Sequence, residues 1–474
     1  MTHERQIYLL DPKEYSPETI AVAFAKTSRS PETFREIAQG LNDEKSADFH
    51  EKWVVGYGHS SVAEHAVLHM AIENVSRLAV ESIESNRLAS YTEKSTRYQK
   101  WSSDAFYTPA EFVQAGLEDE YKEICCSLFD AYVRSLECCK RVVQKECPRN
   151  VDESEGAWER RIRSQYVDAC RFILPSASLA NLGMTANARV LESSIRKMLS
   201  SPLQEVREIG EKVKQVAIQE VPTLVKYADI VPYLVDAPKI IRSDARGLGI
   251  EARRDEDWCR LVDWQQDGED RIVAAALYRA SGDTYSHILA MVEQLSLDEK
   301  NRVLEHLIGK TGKFDSPLRE LEHVNYTFDL VMDQGAYFEI KRHRMMTQTP
   351  QELTGDLGYA VPEMFKEAGF YDDYCTLMDM VETKYHQMES VVSNAAAYII
   401  PNGFNRRVLM TLNFREAYHF CALRSTPNAH FSARRVAQRI AEEIRAVHPV
   451  LGQYIKVNGT ETSQSVEEAY FVRV

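Results

Sequence analysis

Residues 58–98 have the sequence GHSSVAEHAVLHMAIENVSRLAVESIESNRLASYTEKSTRY, and residues 315–359 have the sequence DSPLRELEHVNYTFDLVMDQGAYFEIKRHRMMTQTPQELTGDLGY. Each stretch contains a Glu-His pair at nearly the same distance before an Arg-containing triplet: Glu64-His65 and Ser85-Asn86-Arg87 in the first, Glu322-His323 and Arg342-His343-Arg344 in the second. Self-similarity at such long range decides the architecture before any local motif does. The chain is therefore expected to be a fused pair of one ancestral domain.

The repeat extends through the whole of each half. AVAFAKTS at 21–28 mirrors AAALYRAS at 274–281, and the Pro-to-Asn interval 175–187 recurs at 401–413. Each of these Asn residues is followed two positions later by an Arg. We therefore place two domains at 1–228 and 229–474. The stretch 222–267, rich in Pro, Gly and charge, is interpreted as the connector together with the opening strand of the second domain.

Length and composition are those of an ordinary globular protein. With 474 residues, 44% of them hydrophobic, the chain exceeds the size of one hydrophobic core. Its formal charge of −14 argues against a protein that coats nucleic acid, which needs a basic surface. No apolar run is long enough to span a bilayer, and the first residues lack a secretory apolar segment, so we expect a cytoplasmic protein. The nine scattered cysteines favour reduced thiols over a disulfide frame or a metal site.

Hydrophobic periodicity predicts both strands and helices. Val324, Tyr326, Phe328 and Leu330 alternate with mostly polar residues, a pattern typical of a half-buried strand. The run AVLHMAIE at 66–73 predicts the corresponding strand less regularly, followed by a helix with Ser76 as its N-cap. In the second half a buried helix face is predicted from five apolar positions: Leu412, Phe414, Ala417, Phe420 and Leu423.

The segment SYTEKSTRY at 90–98 contains hydroxyls, a carboxylate and an arginine close together. Arg97 and the Ser95 hydroxyl could hold a phosphate while Glu93 bonds another polar group. A polar loop with an internal salt bridge explains the same composition equally well. The residues of this segment alone leave both interpretations open.

For other arginines, too, the sequence is compatible with either anion binding or a purely structural role. The triplet Arg342-His343-Arg344 suits a polyphosphate or an anionic ring, or a basic helix end that satisfies its own carbonyls. Arg407, Arg415 and Arg424 border an apolar helix face, where either acidic partners or a bound anion would serve. No Gly-rich phosphate loop follows a predicted strand, so a Rossmann or P-loop enzyme is disfavoured.

Three runs taken together are more specific: H-S-S-V-A-E-H at 59–65, I-E-N-V-S-R at 72–77 and N-R-L-A-S-Y-T-E-K-S-T-R-Y at 86–98. They resemble the signature region of the flavin-dependent thymidylate synthases, the ThyX family, whose motif is R-H-R, seven residues, Ser and then x-R-Y. The resemblance implies an α+β fold with an antiparallel sheet and long helices in each half, arranged as a pseudo-dimer. It also implies bound FAD and C5 methylation of dUMP to dTMP with methylene-tetrahydrofolate and NADPH.

The two halves depart from the family motif in complementary ways. The first half keeps Glu93, Ser95 and Arg97 but has Ser85-Asn86-Arg87 in place of R-H-R. The second half keeps R-H-R, and its Arg407 and Arg424 match two nucleotide-contacting arginines that are Asn181 and Met198 in the first half. Four further positions differ from the family: Glu339 stands for Gln, Thr92 for Asn, and Pro202 and Asn428 for a flavin-contacting His.

Because the family's site is shared between subunits, the fused pair is expected to keep one composite site and abandon the other. The resemblance implies that the pyrimidine nucleotide is bound by residues from both halves: Glu93, Ser95, Arg97, Arg342, Arg407 and Arg424. Ser95, Arg97 and Arg424 are the candidate catalytic residues, with Ser95 a ligand rather than a nucleophile because no adjacent base is evident. No metal is expected.

The flavin is expected to contact residues from both halves: Ser61, Glu64, Asn187, Arg189, Arg342, His343, Arg344, Asn413 and Arg415. Since the family is homotetrameric, the tandem chain is expected to pair into a homodimer, a pseudo-tetramer. Two alternatives stay open: a non-catalytic or regulatory nucleotide- or flavin-binding relative, and a flavoenzyme that modifies a different pyrimidine nucleotide.

Overall fold

The structure, a computed structural model, describes residues 5–97, 99–250, 257–312 and 315–472. Its strands are β1 Val67–Ser76, β2 Ser90–Glu93, β3 Leu179–Asn187, β4 Cys259–Trp264, β5 Asn325–Asp333, β6 Thr347–Pro350 and β7 Asn405–Asn413. Its α-helices are α1 Pro17–Lys26, α2 Phe34–Gln39, α3 Asp43–Phe49, α4 Arg77–Ile83, α5 Ala110–Gln114, α6 Glu118–Glu146, α7 Glu155–Cys170, α8 Ala188–Leu199, α9 Gln204–Ala217, α10 Pro222–Val225, α11 Pro232–Gly247, α12 Gly268–Ser281, α13 Tyr285–Glu293, α14 Leu297–Leu304, α15 Gln334–Ile340, α16 Glu363–Glu367, α17 Tyr371–Val392, α18 Phe414–Arg424, α19 Phe431–Val447, α20 Pro449–Gly452 and α21 Ser463–Tyr470.

Each half contains one antiparallel sheet. The first has the strand order β1-β3-β2, and the second has the order β4-β5-β7-β6. By their pairings, β1, β2 and β3 correspond to β5, β6 and β7, so β4 is an additional edge strand of the second sheet. The expected α+β architecture of two similar halves is confirmed.

The local structure predicted around β1 and β5 is confirmed. Tyr326, Phe328 and Leu330 on β5 are at most 1% exposed, as the period of two requires. In the first half, β1 is interrupted by a bulge at Asn74, whose φ is +57°. The side chain of Ser76 accepts a hydrogen bond from the Ala79 amide and caps α4.

The two halves share a hydrophobic core. The long helices α6 and α7 of the first half and α17 of the second contribute side chains to one cluster of buried residues. Backbone hydrogen bonds join the halves beside it: Ser176 N donates to Ile400 O at 2.9 Å, and Ala177 N donates to Tyr398 O at 2.9 Å. Each half therefore completes its burial against the other.

Three local predictions need correction. The connector contains the helix α11, which carries Pro238 inside it and buries no residue, so periodicity gave no sign of it. The segment 90–93 is a short polar strand, β2, ordered by pairing with β3. Leu412 lies on β7 and Leu423 is 47% exposed, so neither belongs to the buried face predicted for α18. Tyr98, the last residue of the signature, lies outside the described residues.

The described residues include no helix that is both long and apolar enough to cross a membrane. All nine cysteines lie in described regions and are unpaired, and five of them are buried.

The shared core gives a test of cooperativity. Tyr374 on α17 is fully buried, and its hydroxyl donates to Ala360 O at 2.8 Å. Replacing Tyr374→Ala should lower the free energy of unfolding by about 3–5 kcal/mol, because the cavity forms inside a packed core. Urea denaturation followed by circular dichroism and tryptophan fluorescence should show one shifted transition. The matched change Tyr233→Ala, at a residue 74% exposed, should have little effect. Two separate transitions would contradict a shared core.

Candidate functional site

The side chain of Glu93, at the end of β2, connects the two halves. Its carboxylate accepts from Arg77 Nη1 at 2.5 Å and from Arg342 Nη2 at 3.1 Å. The Glu93 side chain is only 1% exposed, whereas that of Arg342 is 42% exposed. Burial raises the pKa of Glu93, but Arg77, Lys341 and Arg342 together hold it below its usual value. Glu93 is therefore an ionised bridge, and Arg342 keeps further donors directed to solvent.

Glu339, on α15, forms a second bridge between the halves. Its carboxylate accepts from Arg171 of the first half at 3.3 Å and from Arg424 of the second at 3.0 Å. Burial raises the pKa of Glu339, but Arg171, Arg342 and Arg424 outweigh burial and hold it at about 2. This carboxylate stands where the family usually has an uncharged Gln, and it neutralises one of the predicted nucleotide-binding arginines.

His343 is fixed by bonds at both ring nitrogens. Arg424 Nε donates to His343 Nε2 at 2.9 Å, so the proton belongs on Nδ1, which then donates to Glu416 at 3.1 Å. Burial, with a contribution from Arg424, lowers the pKa of His343. The imidazole is therefore neutral and positions Arg424.

Arg97 also reaches from one half to the other. Its Nε and Nη2 donate to Asp168 at 2.8 and 2.7 Å, a bidentate pair, and its Nη1 donates to the Asn428 carbonyl at 2.8 Å. The Ser95 hydroxyl accepts from the Arg97 amide at 3.2 Å and shapes the turn. We call the group formed by Glu93, Arg97, Glu339, Arg342 and Arg424 the first composite site.

Arg407 lies on the face of the second sheet opposite to that of its neighbour Arg406. It pairs with Asp329 of the neighbouring strand at 3.1 Å, whereas the adjacent Arg406 points to the other face and pairs with Glu81 at 2.7 Å. The structure thus brings together Glu93, Arg97, Arg342 and Arg424, and it places Arg407 in a separate ion pair.

The predicted flavin residues outside the triplet have the same arrangement in each half. Glu64 pairs with Arg189, and Glu322 pairs with Arg415 at 3.0 Å. Asn187 and Asn413 are N-caps, accepting from the amides of Val190 and Glu416. Ser61 lies with Glu64 on a surface cavity of the first half that also contains Trp53 and His59.

The triplet residues point in different directions. Arg342 faces the first composite site, and Arg344 lies over the ring of Tyr91 at 5.5 Å. Arg344 also lines a cavity of about 480 Å³ whose other walls include Ser85, Met198, Pro202 and Pro350. Met198 and Pro202 are the first-half counterparts of Arg424 and Asn428, and Pro350 is the second-half counterpart of Glu93. This second composite cavity is therefore the pseudo-symmetric partner of the first site.

Several residues that pair with the first composite site were not predicted from the sequence. Arg77 and Arg171 are cations within apolar stretches, and their side chains are at most 3% exposed. Asp168 stands at the end of α7, 71 residues beyond Arg97. A buried cation flanked by apolar residues predicts a carboxylate partner, but only tertiary structure identifies which one.

Comparisons with known proteins agree with the internal repeat. The family model described as "Thymidylate synthase complementing protein" matches residues 10–223 and again residues 260–450. The chain belongs to this family, and the resemblance to the ThyX proteins is confirmed.

Individual relatives are of two kinds. A "UPF0159 protein" of Chlamydia muridarum is 29% identical over an alignment of 440 residues, which covers 89% of this chain and 83% of that protein. A "Flavin-dependent thymidylate synthase" of Clostridium tetani is 26% identical over 214 residues, 45% of this chain and 82% of that protein. The solved UMP/dUMP methylase PolB from Streptomyces cacaoi covers 43% of this chain at 16% identity, with a TM-score of only 0.34.

The charge of Glu339 can be tested through stability. Glu339→Gln should lower the free energy of unfolding at pH 7 by about 3–5 kcal/mol, because Arg171 and Arg424 lose their shared carboxylate. Since the pKa of Glu339 is depressed from 4.5 to about 2, its contribution is complete above about pH 4.5 and is lost as the pH falls towards 2. The difference between wild type and variant in urea denaturation should therefore narrow at pH 3.

The control for this comparison is Glu220→Gln, at an exposed carboxylate, which should change stability little at either pH. A Glu339→Gln variant as stable as the wild type at pH 7 would show that Glu339 is not an ionised bridge.

Proposed function

We propose that the chain catalyses a flavin-dependent, reductive transfer of a one-carbon unit to C5 of a pyrimidine nucleotide at the first composite site, with dUMP as the first candidate. Membership of the thymidylate synthase complementing family supports the reaction class. The observation that carries the proposal is the convergence of Arg97, Arg342 and Arg424, from opposite halves, on one group of ion pairs. Methylene-tetrahydrofolate and NADPH are the proposed co-substrates.

The arginines are suited to bind a nucleotide phosphate. Guanidinium groups bind phosphate through paired, charge-assisted hydrogen bonds, and the bonds to Asp168, Glu93 and His343 hold these three in defined orientations. Arg342 is the most exposed of them and has a single carboxylate bond, so it is the proposed first contact of the phosphate. Pre-set orientation lowers the entropic cost of binding.

A flavin fits beside this site. A cavity of about 680 Å³ adjoins Arg97 and Asn428, and its wall includes Tyr470 and Arg434, whose guanidinium lies over the Tyr470 ring at 4.9 Å. That volume lies in the usual range for cofactor sites. Arg434 is the residue of this wall that we propose holds the cofactor's phosphates, since Arg97 is proposed for the nucleotide phosphate. Bound FAD would supply the hydride chemistry of the reductive transfer.

The remaining flavin candidates favour a paired assembly. Ser61 and Glu64 line a separate cavity of the first half, so a second copy of the chain is proposed to bring them to a flavin. The connector helix α11 exposes Tyr233, Ile240 and Ile241, apolar side chains that such a homodimer could cover.

One observation favours a second candidate function. Arg97, Arg342 and Arg424 each already contact a carboxylate of the chain, and Glu339 introduces a negative charge where the family has Gln. A substrate phosphate must compete with these groups. A non-catalytic relative that binds a nucleotide or a flavin is the alternative.

Flavin content separates the two classes of function most simply. The purified full chain should be yellow, or should become so with added FAD, with absorbance maxima typical of an oxidised flavin. With FAD, NADPH and methylene-tetrahydrofolate present, dUMP should be converted to dTMP, measured by chromatography. Protein that binds dUMP but ignores FAD would support the non-catalytic alternative, and protein that binds FAD but not dUMP would point to another substrate.

Substitutions test the composite nature of the nucleotide site. Arg97→Ala and Arg424→Ala should each weaken dUMP binding by about 1.5–3 kcal/mol in isothermal titration calorimetry, because each removes charge-assisted bonds to the ligand. The counterpart changes Asn181→Ala and Met198→Leu in the first half should matter little. Circular dichroism checks the folding of each variant. Unchanged binding after loss of both Arg97 and Arg424 would place the nucleotide elsewhere.

A further inference from the structure

The second composite cavity differs from the first composite site in that several of its cations have no carboxylate partner. Its volume of about 480 Å³ suits a small organic ligand. In the part of the chain that the structure describes, three cations that line it contact no carboxylate: Arg87, Lys197 and Arg344. In the first composite site, by contrast, every arginine contacts a carboxylate.

The present partners of these cations are all neutral. Arg87 Nη2 donates to the Met346 carbonyl and to the Thr347 hydroxyl, at 3.0 and 3.1 Å. Lys197 Nζ donates to Asn86 Oδ1 at 2.9 Å. Arg344 lies over an aromatic ring, and its Nη1 is buried without a hydrogen-bond partner. Buried donors of this kind are normally satisfied, so the missing acceptor points to a ligand.

The carboxylates at the cavity wall are already paired with other cations. Glu81 accepts from Arg406 at 2.7 Å, and Glu84 forms an ion pair with Lys341 at 2.7 Å. Neither contacts Arg87, Lys197 or Arg344 within the range of a salt bridge. The cavity therefore keeps an excess of positive charge that an anion would neutralise.

Of the cations of this cavity, Arg344 and Arg87 belong to the R-H-R triplet and its first-half counterpart, whereas Lys197 lies outside the family motif. Met198 and Pro350 stand where the first composite site has Arg424 and Glu93, so the motif's own phosphate contacts are lost here. Lys197 lies one position before Met198. The counterpart of Lys197 in the second half is Leu423, which is uncharged. Lys197 therefore adds a cation that the corresponding position of the second half lacks.

We propose that the second composite cavity is a binding site for a small phosphate ester, held by Lys197 and Arg344 and separate from the first composite site. The apolar residues Met198, Val206 and Leu234 form the wall against which the organic part of the ligand packs. Leu234 belongs to α11, the connector helix, whose Arg242 pairs with Glu352. The connector between the two halves thus closes one side of this site.

The test uses adenosine 5′-monophosphate and inorganic pyrophosphate as probes, titrated calorimetrically into the full chain. A purine nucleotide is chosen because the first composite site is proposed for a pyrimidine. Lys197→Gln and Arg344→Gln should each weaken binding about tenfold, since each removes a charge-assisted bond. Arg196→Gln provides the matched control, because Arg196 lies on the same helix α8 in an exposed pair with Glu192 and does not line the cavity.

Each outcome is decisive. Binding that weakens with Lys197→Gln and Arg344→Gln, persists with Arg196→Gln and is unaffected by saturating FAD supports a separate phosphate site. Absence of binding by both probes in the wild-type chain overturns the proposal. Equal weakening by Arg196→Gln would show general electrostatic attraction. Displacement of adenosine 5′-monophosphate by FAD, one for one, would assign the cavity to the flavin and overturn a separate site.

Discussion

The structure depends most on the buried carboxylate of Glu339, which contacts Arg171 of one half and Arg424 of the other. These side chains are 3–15% exposed, so none can regain full hydration if its partner is removed. Loss of one member of such a group leaves an uncompensated charge, which costs far more than loss of an exposed pair. Glu93 forms a similar bridge between Arg77 of the first half and Arg342 of the second. The halves are therefore joined by electrostatics as well as by their common core.

The sequence predicted what depends on local pattern. Alternation placed the buried side of β5, and the Ser76 cap marked the start of α4. Complementary motif losses predicted that Glu93 and Arg342 would meet across the halves, and they are hydrogen-bonded. The partner of Arg97 could not be predicted, because Asp168 is 71 residues away at the end of another helix, and no local pattern links the two. Nor could α11, which has no buried face to impose a period on its sequence.

Duplication placed two related cavities in one chain, where they were free to diverge. In the first composite site the arginines retained from the family are held by Glu93, Asp168 and Glu339. In the second composite cavity the corresponding arginine and glutamate are lost, yet Lys197 and Arg344 remain without acidic partners. Loss of function alone does not explain the Nη1 atom of Arg344, because a buried donor without an acceptor is costly. This donor supports the proposal of a ligand in the second composite cavity.

The triplet Arg342-His343-Arg344 connects the first composite site and the second composite cavity through one rigid turn. Its outer residues face different cavities, and the middle residue is 5% exposed and bonded to Glu416 and Arg424. Because both ring nitrogens of His343 are engaged, the turn cannot rotate without breaking bonds inside the core of the second half. Arg342 and Arg344 are then presented from a fixed backbone, and Arg424 is oriented by the same imidazole. One turn, anchored once, thus sets the positions of cations in both cavities, so its sequence is constrained by two sites together.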